Sequence, residues 1–169
     1  MATMDNLSSL DHFDFWFDEE ENAYRFNTET GVQYYITLPE YFIMDLNVYM
    51  LNIDRYVPKG TQKANSSLLI RNTVLIILSN FFKNKENALI AICETKDTLE
   101  HARHRLFERW FKTAITKLGV NWIRREDAPF TLSDGCVNYA MLYYHKDNNM
   151  ILPLKTQFSE LIYNKFFME

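Results

Sequence analysis

Glycine, proline and cysteine are all scarce in this chain of 169 residues, which contains four glycines, four prolines and two cysteines. The glycines stand far apart, each in its own turn or loop: Gly31, Gly60, Gly119 and Gly135. The sequence therefore has no phosphate-binding loop, dinucleotide-binding fingerprint or nucleophile elbow in its usual form. Cys93 and Cys136 are too few for a disulfide framework, which favours a reducing compartment. Nucleotide-dependent enzymes of the common kinds are not expected, and neither is a cofactor.

Long apolar runs are also missing. The longest uninterrupted aliphatic run is Val74–Leu78, whereas a helix that crosses a bilayer needs about 20 apolar residues. The first residues, MATMDNLSSLDHFDF, have neither the basic start nor the apolar core of a signal peptide. We expect a cytoplasmic protein without membrane contact.

Apolar and aromatic residues are plentiful, at 47% and 15% of the chain. That is enough for one hydrophobic core, and no internal repeat or linker divides it. We therefore predict a flexible amino-terminal tail over residues 1–12 and a single domain over residues 13–169.

Alternation of apolar and polar residues predicts most of the strands. FDFWFD, AYRFNT and VQYYITL each alternate, and Gly31 lies where a hairpin turn needs a positive φ. VYMLNIDRY, ALIAICET, NWIRRED and VNYAMLYYH are the remaining strand candidates. Tyr35 and Tyr144 fall on the opposite side of their strands from Tyr34 and Tyr143, which predicts an exposed aromatic surface.

Three segments have helical character. LLIRNTVLIILSNFFKNK is apolar almost all round, residues 97–118 are amphipathic and end at Gly119, and ILPLKTQFSELIYNKFF follows a turn. The fold class is therefore α+β. We predict a mostly antiparallel sheet of about six strands with three helices, in the order β-β-β(-β)-α-β-α-β-β-α.

The helix over residues 97–118 contains the stretch HARHRLFERWF and the candidate functional residues. Its polar side is a candidate contact face with five members: His101, His104, Arg105, Glu108 and Lys112. Arg103 is an exception, because it projects into the apolar arc between Leu99 and Phe107. A buried guanidinium must be paired, so Arg103 is predicted either to form a buried ion pair or to line a ligand pocket.

Two other features, one in this helix and one just before it, could indicate a metal site or a reactive thiol, but neither is predicted. His101 and His104 are spaced to reach one metal ion, with Glu108 as a third ligand, but this spacing resembles neither the zinc-protease helix motif nor a zinc finger, so no metal site is predicted. Cys93 ends a strand just before the helix, where thiols can be reactive, but a buried core cysteine is the expected outcome.

Charge is distributed unevenly along the chain. Residues 1–47 contain ten acidic residues and one basic residue, whereas residues 96–125 contain eight basic and three acidic residues. Nucleic-acid binding by the basic helix is one interpretation. The net charge of −4 argues against it, because dedicated nucleic-acid binders usually carry a positive net charge.

The chain resembles a family of small single-domain proteins of unknown function from Bacteroidetes. The resemblance depends on AYRFNTETGVQYYITL, VYMLNIDRY, NTVLIILSNFF and ALIAICET, and above all on ARHRLFERWF, a helix of the ARxRLFxRWF type. It extends over most of residues 13–168 and implies a bacterial protein with one domain. It implies no catalytic residue.

The sequence is most typical of a non-enzymatic binding or regulatory module that acts through protein–protein contacts, with an unidentified partner or a second copy of itself. The alternative is a nucleic-acid-associated protein, such as a toxin-like ribonuclease, that uses the basic helix 97–118. An enzyme with Arg103 in its pocket is a third hypothesis, for which the sequence indicates no reaction.

Overall fold

The computed structural model describes residues 7, 9–41, 46–61, 67–93, 99–131, 135 and 137–166, and the side chains up to residue 163. The strands are β1 (Phe15–Asp18), β2 (Ala23–Asn27), β3 (Gln33–Thr37), β4 (Val48–Met50), β5 (Asn52–Tyr56), β6 (Ala88–Cys93), β7 (Ile123–Thr131) and β8 (Val137–His145). The helices are α1 (Ser67–Phe81), α2 (Glu100–Leu118) and α3 (Ile151–Phe166).

The predicted α+β class and element order are confirmed. The described strands number eight rather than about six, and they form two four-stranded sheets instead of one. The first sheet has the order β1-β2-β3-β5 and is antiparallel throughout. The second has the order β4-β6-β8-β7, in which β4 and β6 are parallel and the other pairs are antiparallel.

Leu51 divides the segment VYMLNIDRY between the two sheets. Its backbone N–H donates to the carbonyl of Ile90 in β6 at 2.8 Å, whereas Asn52, the next residue, pairs with Thr37 in β3. The side chain of Leu51 is buried in the core between them. One continuous apolar alternation thus forms two short strands, and the sequence pattern does not reveal the change of sheet.

Both faces of the second sheet are covered. On one face Leu89, Ala91 and Met141 pack with apolar residues of α1, α2 and the first sheet. On the other face Ile90 and Leu142 pack under α3, whose Phe158 and Leu161 are buried there.

The prediction that Tyr144 lies on an exposed surface is therefore wrong. Its side chain is only 4% exposed, because α3 covers that face of β8. Its hydroxyl donates to Glu126 Oε1 at 2.8 Å, and Lys155 of α3 contacts the same oxygen at 2.6 Å. The hydrogen bond from Lys155 is the main reason why the pKa of Glu126 is lowered.

Tyr35, the other tyrosine predicted to be exposed, is half-buried on the first sheet. The Arg25 guanidinium lies 4.7 Å from the centre of its ring.

Two glycines with positive φ angles mark the ends of secondary-structure elements. Gly31 has the predicted positive φ, 83°, and its N–H closes the β2–β3 turn onto Thr28. Gly119 ends α2 in the left-handed conformation at φ 69°, as predicted from its position. The predicted start of that helix, Asp97 or Thr98, and the Asp134 half of a predicted turn lie outside the described residues.

The segment before β1 contacts α1. Leu7 is buried in the main core, the carbonyl of Asp11 accepts from Asn72 Nδ2 at 2.8 Å, and the N–H of Phe13 donates to Thr73 Oγ1 at 3.0 Å. The division into a tail at 1–12 and a domain at 13–169 remains a prediction, since residues 1–6 and 8 are outside the described part.

His145 is buried at the end of β8. Its ring stacks on Trp122 at 5.9 Å between centroids, and its Nδ1 accepts the N–H of Asp147 at 3.1 Å. Burial lowers the pKa of this imidazole below its ordinary value of 6.5. The neutral ring is therefore the form that suits the fold.

We predict that the stability attributable to neutral His145 is present above pH 6.5 and is lost as the pH falls below that value, because the unfolded chain then binds a proton that the folded state resists. Urea titrations between pH 7.5 and 5 measure this. A His145→Gln variant should lose less stability than the wild type over that interval. Equal losses in both proteins would contradict the assignment.

Candidate functional site

Several titratable side chains lie close together where the beginning of α2 packs against β7 and β8. Tyr139 pairs in register with Cys93 of β6 on one side and with Pro129 of β7 on the other. Residues paired across strands share a face of the sheet, and here it is the face that α2 covers. We refer to Glu100, His101, His104, Arg125, Asp127 and Tyr139 as the α2–β8 cluster.

Both predicted histidines of α2 contact Tyr139. The ring of His104 stacks on the phenol ring, with centroids 3.9 Å apart and planes 14° from parallel. His101 approaches the same ring edge-on at 5.4 Å, and its Nδ1 is 3.1 Å from the phenol oxygen. His104 is thus half-buried rather than on the fully exposed side of the helix, because β8 extends beneath it.

Arg125 lies at the base of the cluster with a side chain that is only 4% exposed. Its Nη2 and Nε contact Asp127 Oδ1 at 2.6 and 2.8 Å, and Nη2 is 3.1 Å from Nε2 of His104. The rings of Phe111 and Tyr143 flank the guanidinium at 5.8 Å. A guanidinium only donates hydrogen bonds, so His104 Nε2 accepts and its ring proton is on Nδ1.

Cys93 lies below the cluster and is fully buried, as predicted for a core cysteine. Burial raises the pKa of its thiol to about 11, although the nearby charges of Arg103 and Arg125 act in the opposite direction. A thiol with that pKa is almost entirely protonated at neutral pH, so it is a poor nucleophile and metal ligand.

Arg103 is half-buried on α2, close enough for its charge to act on the Cys93 thiol. Whether it is structural or lines a ligand pocket remains a prediction. The other candidate contact residues, Arg105, Glu108 and Lys112, are exposed. Within the described ranges, no three histidine, cysteine or acidic side chains lie close enough together to hold a metal ion.

Four members of the cluster were not identified from sequence: Glu100, Arg125, Asp127 and Tyr139. Arg125 and Asp127 lie in the predicted strand NWIRRED, but that prediction does not place them in a site. Their position beneath His104 depends on the β7–β8 register, in which Arg125 pairs with Tyr143. That register is not encoded in any local pattern.

The apolar side of α2 is incompletely covered. Of the described residues of this helix only Glu100 and Ala114 are buried, while Phe107, Trp110 and Phe111 are half-buried. Leu99, just before the helix, is 50% exposed.

A cavity of about 70 Å³ separates α2 from α1 and is partly open to the surface. Its walls are almost entirely apolar and include Leu75 and Leu78 of α1 and Trp110 of α2. The volume is about half that of a roughly 150 Å³ apolar cavity that holds benzene, so it suits the end of an aliphatic side chain rather than a cofactor.

The model of a family of unknown function, DUF6169, matches residues 67–160, more than half of the chain. The chain belongs to the DUF6169 family. No curated protein and no solved structure shows significant similarity to it.

No helix in the described part of the chain is both long and apolar enough to cross a membrane.

The DUF6169 match extends from α1 into α3 and includes every residue of the α2–β8 cluster. The first sheet lies outside it. The expected bacterial group and the ARxRLFxRWF helix pattern remain predictions.

We predict that Asp127→Asn lowers the free energy of unfolding by about 1–2 kcal/mol, because it removes the charge that neutralises nearly buried Arg125 while the half-exposed site is partly screened by water. Urea denaturation measures the change. Asp54→Asn, at an exposed position on β5, is the control and should be nearly neutral. The double variant Arg125→Met, Asp127→Asn should recover part of the loss, whereas a further additive loss would contradict the pairing.

Proposed function

We propose that the protein is a binding module that acts through protein–protein contacts and that α2 provides the contact surface. The observation that supports this most directly is the incomplete burial of α2. Its half-buried aromatic side adjoins a partly open apolar cavity. No catalytic step is part of this proposal.

The apolar part of the surface suits one anchoring side chain. Trp110 and Phe107 line the cavity while remaining half-buried, so a partner's aliphatic side chain that entered it would remove further aromatic surface from water. Burial of apolar area contributes about 25 cal/mol per Å². Tryptophan and arginine are also the residues that most often dominate binding energies at protein interfaces.

The polar part of the surface determines the charge of the partner. Four exposed basic residues lie along α2: Arg105, Arg109, Lys112 and Lys117. Glu108 is the one exposed acidic residue among the described residues of this helix. Complementary charge favours a partner with an acidic amphipathic segment. A second copy of this chain is a specific case of such a partner, because its residues 1–47 contain ten acidic residues and one basic residue.

A nucleic-acid-associated protein is the second candidate function. The observation that favours it is the pair of histidines around Tyr139 beside the same basic residues, since imidazoles next to a cationic surface suit phosphodiester chemistry. The net charge of −4 counts against it.

The test is a display selection with amphipathic helical peptides randomised at their charged positions. We expect enrichment of acidic residues around a leucine or isoleucine anchor. Anisotropy of the selected peptides should show binding weakened about tenfold by Arg105→Glu, Lys112→Glu, since each interfacial charge contributes on the order of 1 kcal/mol. The matched control is Arg55→Glu, Lys59→Glu, which makes the same charge change at exposed positions on and after β5.

Three results would contradict the proposal. The selected peptides could lack acidic residues, they could bind both double variants equally, or replacing their anchor with alanine could leave affinity unchanged. Labelled single-stranded RNA and duplex DNA form the parallel arm. Tight binding that falls steeply with salt and is lost only in the α2 variant would favour the nucleic-acid function instead.

A further inference from the structure

The phenol of Tyr139 is held by two imidazoles at the surface of the protein. His101 Nδ1 lies 3.1 Å from the phenol oxygen, and His104 stacks on the ring. We propose that Tyr139 is a nucleophile, that His101 accepts its proton, and that the site takes an anionic electrophile such as a phosphoryl group. This inference does not rest on the proposed contact surface, although Arg105 is common to both, and the labelling of Tyr139 tests it separately.

Glu100 sets the direction of proton transfer. Its Oε1 lies 3.8 Å from Nε2 of His101, and a carboxylate there favours the tautomer with the ring proton on Nε2. Nδ1 is then the acceptor for the phenol proton. The other carboxylate oxygen, Oε2, is buried and has no hydrogen-bond partner among the described residues, so His101 is the basic side chain that the structure places beside this carboxylate.

His104 and Arg125 position the phenol. The Arg125 guanidinium donates a hydrogen bond to His104 Nε2, and Asp127 in turn holds the guanidinium in place. These contacts keep the His104 ring nearly parallel to the ring of Tyr139. A phenol that is stacked on one face and hydrogen-bonded at its oxygen has little rotational freedom. Such preorganisation is what an activated nucleophile needs.

The neighbouring charge suggests the class of electrophile. Arg105 follows His101 by four residues and therefore lies one turn further along the same side of α2, where it is exposed. An arginine there suits the oxygens of a phosphoryl group. In the reaction the phenol oxygen bonds to phosphorus, the bond from phosphorus to the leaving group breaks, and the phenol proton moves to Nδ1 of His101.

The competing explanation is that the His101–Tyr139 contact only fastens α2 to the sheet. A purely structural contact predicts ordinary or reduced reactivity of the phenol. Aryl sulfonyl fluorides distinguish the two explanations. They react directly with the tyrosine oxygen to form a sulfonate ester and release fluoride, so the test can be made without identifying the natural substrate.

The experiment measures labelling rates of individual tyrosines in the intact protein by peptide mass spectrometry. Two tyrosines in the same molecule are controls: Tyr56 is exposed, and Tyr35 donates its hydroxyl hydrogen bond to Gln33 at 2.7 Å instead of to an imidazole. We expect Tyr139 to react about 100-fold faster than either, at the low end of what a positioned general base contributes. Equal or slower labelling of Tyr139 would overturn the proposal without the need for any variant.

Two variants test the roles of the neighbours. His101→Gln keeps a polar side chain but removes the base, and it should lower the Tyr139 rate to that of the controls, whereas an unchanged rate would overturn the role of His101. A probe that bears a sulfonate group should label Tyr139 faster than its neutral analogue. Arg105→Glu should abolish that preference, and the absence of any preference in the wild type would overturn the anionic substrate class.

Discussion

The rest of the structure depends on the burial of β8 on both faces. Alternate side chains of this strand belong to two different cores, with Tyr143 beneath α2 and Tyr144 beneath α3. A strand covered on both sides is expected to be mostly apolar, and residues 140–144 (AMLYY) form the continuous run that this requires. Because β8 also pairs with both β6 and β7, its register determines which residues of three strands face each helix.

The α2–β8 cluster and the incomplete burial of α2 both follow from that arrangement. At the start of α2, β8 presents Tyr139 to the two histidines, while β7 places Arg125 and Asp127 beneath His104. Further along, α2 faces α1 across a cavity and remains only partly covered. One helix therefore has two chemically different parts: a polar start that contacts Tyr139, and a remainder whose exposed side is mostly basic and whose aromatic side is half-buried.

Local patterns in the sequence were sufficient for the secondary structure and for the α+β class, because alternation, helical periodicity and isolated glycines report local conformation. They also predicted that Cys93 is buried. The division into two sheets could not be predicted, since Leu51 changes partner within an unbroken strand pattern. Alternation predicts an exposed Tyr144 because it shows that the two faces of a strand differ, but it does not show that both faces are covered. The positions of Arg125 and Tyr139 in the cluster required the long-range β7–β8 and β6–β8 registers.

Because α2 is only partly buried whereas β6 and β8 are almost completely buried, we expect α2 to open before the sheet unfolds. Native-state hydrogen exchange monitored residue by residue in low urea tests it most directly. We predict that amides of β6 and β8 exchange only through global unfolding, whereas amides of α2 exchange through a smaller opening with a lower free energy and a lower urea dependence. If α2 amides were as strongly protected as those of β8, α2 would be an integral part of the core, and the account of it as a contact surface would be contradicted.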